Sequence, residues 1–412
     1  MALKRKRPDN QWKVKCNHDL LDRNETDTEN VRFVLPRDLV KPNFQELSET
    51  YPEFQKAWME FNNRRKKDNN SKQTTLQSGK KSSCFSTIVD HAFNVALTRA
   101  LLDKHFKMSM PCLPEGYLCP PIPNRLNYVL WIKRLLNETI GDKDLHYRGI
   151  DLGTGVSAIY PLLITTDDCS SKWKIIGTDI DPTSVQCAKE NVKANHLQNQ
   201  IYIEQVPLSY TQEQTHVPNT PNVRNEPSEV DGTFRTHNLG KKNGGPIESA
   251  MEASYKIEAF HQQQQKYLEK HCQNKTQKTC LEDKHIPFDF CMTNPPFYGS
   301  EAEAQDPRVG DGRCRTDMTL SEGTYPGGEA GFVMDMIRDS FYYGKAITWY
   351  SSMVGKKSTL LTIEKEIKKL GFGKANLRTT EFVQGKTRRW GIAWTFHSVT
   401  IKSNGKLNTN HY

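Results

Sequence analysis

Residues Gly149–Ser157, with the sequence G-I-D-L-G-T-G-V-S, are the clearest indication of the fold. It joins a short apolar run to two closely spaced glycines, and an apolar segment follows as far as Ile164. That order is typical of a β-strand, a tight turn and a helix. Downstream, the sequence predicts a strand over 173–178, a helix over 183–195 and a strand over 201–206. Strands that alternate with helices indicate an α/β protein with a parallel sheet.

The glycine turn also indicates a ligand site. Glycines after a strand let the backbone approach a ligand closely, and the following helix presents free N–H groups. With Ala158 the stretch fits the G-x-G-x-x-A pattern of dinucleotide sites. Asp151, however, suits the cationic end of a ligand, and the phosphates of a dinucleotide need no carboxylate there. Asp179 suits ribose hydroxyls, which a dinucleotide also has, so it does not discriminate between the two ligand types. A tight turn without a ligand is the structural alternative.

A second motif, Asn294-Pro295-Pro296-Phe297, follows a strand predicted over 288–292. Pro295 keeps Asn294 out of the α region, and two successive prolines stiffen the segment. The Asn294 side-chain oxygen and the Pro295 carbonyl then form an edge of acceptors beside an aromatic ring. Such an edge suits a planar amino group whose ring stacks on Phe297. The alternative is a stiff turn, but ligands of open α/β sheets bind at the strand ends where both motifs lie.

Together the two motifs resemble the class I S-adenosylmethionine-dependent methyltransferases that modify an exocyclic amine. Further blocks make the resemblance more specific: P-N-R-L-N-Y-V-L-W-I (123–132), I-Y-P-L-L (159–163), D-F-C-M-T-N-P-P-F (289–297), G-G-E-A-G-F-V (327–333), W-Y-S-S-M-V-G-K-K (349–357) and T-E-F-V-Q-G-K-T-R-R-W-G-I-A-W-T-F (380–396). In this order they are similar to the adenine-N6 RNA methyltransferase family of methyltransferase-like protein 16, the U6 small nuclear RNA enzyme, and its bacterial 23S ribosomal RNA relatives. The similarity spans about 42–398, interrupted by two polar insertions.

The resemblance implies a seven-stranded, Rossmann-like sheet with a helical N-terminal module, and S-adenosylmethionine as cofactor. The implied activity is N6-methyladenosine formation in structured RNA, with U6 small nuclear RNA as the expected partner and the nucleus, or else the cytoplasm, as location. The cofactor contacts implied are Arg125, Gly153, Ser157, Asp179 and Asn294, to which the glycine turn adds Asp151 and Gly155. The adenine is expected on Asn294, Pro295, Pro296 and Phe297, and RNA on Lys356, Lys357, Lys386, Arg388 and Arg389.

Two alternative functions remain open on the sequence. One is an N-P-P-F methyltransferase that acts on DNA adenine or protein glutamine; Phe297 in place of tyrosine disfavours glutamine, and the blocks at 349–357 and 380–396 favour RNA. The other is a catalytically silent RNA-binding protein, which the two intact motifs disfavour. The basic residues near Arg388 also fit a solvated hairpin tip.

Charge and polarity along the sequence predict how the chain is divided into domains and tails. Its 412 residues carry a net charge of +9 and a mean hydropathy of −0.72, which favours a polyanionic partner and polar segments around a packed core. We expect a basic disordered tail over 1–40, which is either a nuclear signal or an RNA-binding arm, and a helical RNA-binding module over 41–124. The methyltransferase domain is predicted over 125–400 with a polar insertion at about 212–284, followed by a tail over 401–412.

Membrane, secretory and metal functions are not expected. The longest apolar stretch, Val156–Ile164, is too short to span a membrane, and no secretory signal follows the basic Lys4–Arg7 run. The ten cysteines form no C-x-x-C pair, which predicts free thiols in a reducing compartment. Cys272, Cys280 and His285 fit no standard zinc spacing, so no metal is predicted.

Overall fold

A seven-stranded sheet forms the centre of the molecule. The computed structural model describes residues 33, 35–76, 90–139, 147–166, 173–207, 245–254, 257, 288–305, 318–384 and 387–398, without the side chains of 68–76. The strands are β1 Tyr147–Leu152, β2 Trp173–Asp179, β3 Ile201–Gln205, β4 Phe288–Thr293, β5 Ile347–Val354, β6 Leu377–Gln384 and β7 Thr387–Trp394. Their order is β3-β2-β1-β4-β5-β7-β6, with β1 to β5 parallel and β7 antiparallel to both neighbours. The predicted α/β class I fold is confirmed.

Helices cover both faces of this sheet. They are α1 Arg37–Val40, α2 Phe44–Thr50, α3 Pro52–Leu76, α4 His91–Phe106, α5 Ile122–Thr139, α6 Ile159–Ile164, α7 Pro182–Ala194, α8 Pro246–Ser254, α9 Glu301–Gln305, α10 Leu320–Gly323, α11 Gly328–Tyr343 and α12 Lys357–Lys369, with a 3-10 turn at Gly344–Ala346. Successive strand residues point to opposite faces, so Ile175 packs with α5, α6 and α7 whereas Ile176 packs with α8, α11 and α12. The carboxyl ends of the parallel strands, where open α/β sheets bind their ligands, lie at one edge of the sheet between the two layers of helices.

The N-terminal helices form a module joined to the first of these faces. Aromatic side chains of α2, α3 and α4 pack against one another, with ring centroids 5.7 Å apart between Phe44 and Phe93 and 4.7 Å apart between Phe61 and Phe93. These rings belong to the same apolar cluster as α5. Residues of the helical module expected over 41–124 therefore form α2, α3 and α4.

The turn after β1 takes its shape from two glycines. Gly153 and Gly155 have φ angles of 68° and 63°, in the left-handed region where a side chain is strained. Between them the Thr154 N–H donates to the Thr178 carbonyl of the neighbouring strand at 2.9 Å. The turn is thereby fixed against β2, and Asp179 is brought beside it.

Two segments are more regular than the sequence predicts. Helix α3 continues to Leu76 through a polar stretch without helical apolar periodicity, because its Lys, Arg, Asn and Gln residues are compatible with a helix and no proline or glycine interrupts them. Helix α1, inside the expected tail of 1–40, buries Leu39. The expected tail residues 1–32 and 401–412 lie outside the described residues.

Helix α8 lies inside the segment predicted as a polar insertion at about 212–284. Its Ile247, Ala250 and Met251 are fully buried against α11 and the sheet. The Asp339 carboxylate of α11 accepts hydrogen bonds from the N–H groups of Ile247 and Glu248 at 2.9 and 3.3 Å. This part of the predicted insertion therefore belongs to the packed domain. Its apolar pattern is too short to predict a helix within the polar sequence on both sides.

The cysteine prediction is wrong at one pair. Cys112 and Cys187 form a disulfide with a Cα–Cα distance of 5.2 Å, although free thiols were expected. The two cysteines, which are 75 positions apart in the sequence, come together because the connector before α5 folds onto α7, which spacing in the sequence does not reveal. Cys272, Cys280 and His285 lie outside the described residues.

In the described part of the chain, no group of three or more His, Cys, Asp or Glu is arranged to hold a metal ion. None of the helices described has the length and apolar character that a membrane span requires.

Candidate active site

A single cavity of about 1200 Å³ joins the two sequence motifs. It lies at the carboxyl ends of β1, β2 and β4, where an open α/β sheet places its ligands. Of the predicted site residues, those that line the cavity are Arg125, Gly153, Gly155, Ser157, Asp179, Asn294 and Pro296. Asp151, Pro295 and Phe297 do not line the cavity, although each is adjacent in sequence to a residue that does.

Arg125 connects the two motifs. It is buried on α5, and its Nη1 donates to the Tyr160 hydroxyl and to Asn294 Oδ1, each at 2.8 Å. Its Nε has no hydrogen-bond partner among the described residues. A buried guanidinium with an unused donor in a cavity wall fits a carboxylate ligand, such as the carboxylate of a bound methionine group.

Two buried acids flank the glycine turn. Asp179 accepts from the N–H of Gly155 at 2.8 Å and from the N–H of Asp181 at 3.0 Å, and its burial raises its pKa. Asp151 is fully buried below the turn, where it accepts from the Thr154 hydroxyl at 2.8 Å. Burial raises the pKa of Asp151 to about 7, and its Oδ1 has no partner among the described residues. This environment favours a cationic ligand, which stabilises the ionised carboxylates.

The Asn294 ledge forms the opposite wall. Thr293, the last residue of β4, donates from its hydroxyl to the Leu152 carbonyl at 2.8 Å, which ties the ledge to β1. Arg125 fixes the orientation of the Asn294 amide. Phe297 is half-buried beyond the prolines, and the Arg389 guanidinium carbon lies 5.9 Å from its ring centroid. The ledge thus presents polar atoms on the cavity side and an aromatic ring on the outer side.

The predicted RNA-binding residues cluster at the same end of the sheet. Val354 of β5 pairs with Trp390 of β7, so Lys356 and Lys357 at the start of α12 lie near Arg388 and Arg389. Lys356, Lys357 and Arg388 are exposed, and Arg388 forms an ion pair with Glu381 at 3.1 Å. Lys386 lies outside the described residues.

Sequence reasoning missed Tyr160 and the cavity wall formed by residues 320–326. Tyr160 lies inside the I-Y-P-L-L block, but its contact with Arg125 depends on how α5 crosses the turn. The second wall includes Leu320, Glu322 and Tyr325. Its one local signal was the T-x-x-E pattern of a capping box at Thr319–Glu322.

Comparison with known proteins places the chain in a family. The model of the family described as "RNA methyltransferase" matches residues 36–219 and 247–398, and its gap ends where α8 begins. The chain belongs to this RNA methyltransferase family. It is 31% identical over 319 residues to the human RNA N(6)-adenosine-methyltransferase METTL16, covering 75% of this chain and 43% of that protein. It is 28% identical over 320 residues to the U6 small nuclear RNA (adenine-(43)-N(6))-methyltransferase of Dictyostelium discoideum, covering 76% of this chain and 49% of the relative.

Solved structures of a family member share the fold. The human METTL16 catalytic domain in complex with the MAT2A 3′UTR hairpin 6 is 27% identical with a TM-score of 0.55, covering 87% of this chain and 95% of that one. The N-terminal domain of human METTL16 in complex with SAH is 26% identical with a TM-score of 0.51, covering 88% of this chain and 97% of that one. The chain therefore matches the part of human METTL16 that forms its catalytic domain, and it spans less than half the length of the mouse and human relatives.

Proposed function

We propose that the protein is an S-adenosylmethionine-dependent methyltransferase that forms N6-methyladenosine in structured RNA. The observation that carries this proposal is the single cavity that joins the glycine turn to the Asn294 ledge, with Arg125 in contact with the ledge. The family membership and the printed activities of the relatives support it. U6 small nuclear RNA is the target we propose, and the nucleus follows as the location of that RNA.

The donor side of the cavity fits S-adenosylmethionine. The unused Nε of Arg125 would bind its carboxylate, and Asp179 would accept from its ribose hydroxyls. Ser157 and the N–H groups near the turn line the same wall. Asp151 would act from below, since its negative charge favours a cationic ligand. When bound, the sulfonium supplies an already activated methyl group, so the protein has mainly to align donor and acceptor.

The acceptor side fits adenine. Asn294 Oδ1 and the Pro295 carbonyl would each accept a hydrogen bond from N6, whose lone pair is otherwise delocalised into the ring. Arg125 already occupies one acceptor direction of Oδ1, so the amide cannot turn its NH₂ toward the incoming amine. The product ammonium is strongly acidic, and no strong base is needed. Since the adenine must leave its stack to reach this wall, the substrate is a loop, a bulge or a flipped nucleotide.

The test is a radiolabelled methyl-transfer assay. U6 RNA, DNA of the same sequence and total protein are each incubated with labelled S-adenosylmethionine. We expect label on adenine N6 of the RNA alone. Asn294→Ala and Phe297→Gly should abolish transfer and leave RNA affinity near the wild-type value, with the exposed Glu301→Gln as control. Full activity in either ledge variant would reject the assigned roles, label on DNA or glutamine would reject the substrate, and RNA binding without any transfer would indicate the silent protein.

A further inference from the structure

One wall of the cavity comes from a turn that is distant in sequence from both motifs. Helix α10 is a single turn with a complete capping box: the Glu322 N–H donates to the Thr319 hydroxyl, and the Glu322 carboxylate accepts from the Thr319 N–H at 3.1 Å. Immediately after it, the Tyr298 N–H donates to the Gly323 carbonyl and the Tyr325 N–H donates to the Tyr298 carbonyl, each at 2.9 Å. The turn is therefore anchored one residue beyond the Asn294-Pro-Pro-Phe ledge.

The two carboxylate oxygens of Glu322 have different surroundings. Oε2 accepts the Thr319 N–H and also the N–H of Leu118, at 3.2 Å, which ties the connector before α5 to this turn. Oε1 makes no hydrogen bond within the described part of the chain and lies over the glycine turn, 3.6 Å from where a Cβ on Gly155 would be. Leu118, Gly155 and Glu322 all line the cavity. One oxygen is thus structural, and the other is available to a ligand.

We propose that Glu322 is a further cofactor-binding residue, whose Oε1 accepts a hydrogen bond from a ribose hydroxyl of S-adenosylmethionine. This inference rests on the proposed function and adds a contact that neither motif contains. Glu322 is near Gly155, whose N–H donates to Asp179, the acid assigned to the ribose. Two carboxylates on either side of one ligand site suit a vicinal diol, which has two hydroxyls to donate.

The electrostatics of Glu322 agree with this role. Burial raises its pKa, and the nearby Asp179 carboxylate raises it further, whereas the hydrogen bonds from Thr319 and Leu118 lower it. The ionised form is therefore under-solvated in the free protein. A hydroxyl donor to Oε1 supplies one of the missing hydrogen bonds, and charge-assisted hydrogen bonds of this kind are stronger than neutral ones.

The test combines protein and ligand variants in a double-mutant cycle. Affinities for S-adenosylhomocysteine, its 2′-deoxy and 3′-deoxy analogues and an analogue without the adenine amino group are measured by calorimetry. We expect Glu322→Gln to weaken S-adenosylhomocysteine by about 10-fold. For the analogue without the contacted hydroxyl, the same substitution should change affinity by less than about 2-fold. Glu301→Gln, on the exposed α9, should change none of these values.

The cycle separates ligand contact from a structural role. If Glu322 only supports the connector, Glu322→Gln will weaken every ligand by the same factor, and the inference fails. A selective effect at the adenine amino group would reject the ribose assignment. Glu322→Asp, which shortens the side chain but keeps the charge, is the second variant if Glu322→Gln does not fold, and it should show the same hydroxyl-selective loss. Failure of the wild-type protein to bind S-adenosylhomocysteine would contradict the proposed function rather than this residue assignment.

Discussion

The donor side and the acceptor side of the cavity are built in opposite ways. The donor side places acids, Asp151 and Asp179, in buried positions around a turn made by one short stretch of chain. The acceptor side places exposed cations, among them Lys356 and Lys357, around an edge assembled from β4, β5 and β7. Donor affinity should therefore depend on proton binding and little on salt, whereas RNA affinity should depend strongly on salt. The hydrogen bond from Arg125 to Asn294 Oδ1 joins the two sides.

The largest effect is expected where the two sides meet. Arg125→Ala removes a buried, charge-assisted donor and releases Asn294, so affinity for S-adenosylhomocysteine should fall by about 100-fold. Methyl transfer under saturating donor should fall as well, because the Asn294 amide is no longer held. Calorimetry and single-turnover transfer measure the two losses. Arg134→Ala, on the same helix but paired with Glu138 at the surface, is the control. Unchanged donor affinity in Arg125→Ala would show that this guanidinium does not bind the donor.

A substitution in the glycine turn should affect the donor side alone. Gly155→Ala puts a side chain at a φ of 63°, which should lower the free energy of unfolding by about 1–2 kcal/mol. Donor affinity should fall by about 10-fold, because relief of the strain at Gly155 displaces the N–H group that donates to Asp179. Gly371→Ala, at a φ of 94° with open space around it, is the matched control. It should lose similar stability and keep donor affinity; equal affinity losses in both variants would show a general effect of strain.

The features that could be predicted from the sequence are those formed by short, continuous stretches of the chain. The glycine turn, the ledge and the alternation of strands with helices are local patterns that indicated the fold class. Together with the family resemblance, which supplied Arg125, they indicated seven of the residues that line the cavity. Tyr160 and Glu322 could not be found in this way, because their contacts depend on α5 and α10 returning to the turn from distant parts of the chain. Helix α8 was missed because nine residues of apolar pattern carry little signal inside a polar stretch.

The acids of the donor side predict a dependence on pH. A cationic donor binds the ionised carboxylates more tightly, so binding is weaker when Asp151 is protonated. Because burial raises the pKa of Asp151 to about 7, affinity for S-adenosylmethionine should rise from pH 6 to pH 8, by at most about 10-fold per pH unit for one proton. Asp151→Asn should bind more weakly at pH 8 and flatten the profile. A wild-type affinity that is constant over this range, measured by calorimetry, would show that the acid is not coupled to the donor.

The smallest effect is expected from the exposed cations of the acceptor side, and salt reveals it better than affinity alone. The double variant Lys356→Ala, Lys357→Ala should weaken RNA binding only a few-fold, because we expect each exposed lysine to make one solvated phosphate contact. The slope of log Kd against log salt should nevertheless decrease by about 0.7 to 0.9 for each contact removed. Lys368→Ala, Lys369→Ala is the control: both lysines lie at the other end of α12 and pair with Glu364 and Glu366. An equal change of slope in both double variants would mean that RNA affinity depends on net charge and not on the lysines at this end of the sheet. Donor affinity should be unchanged in both variants, because these lysines do not line the cavity.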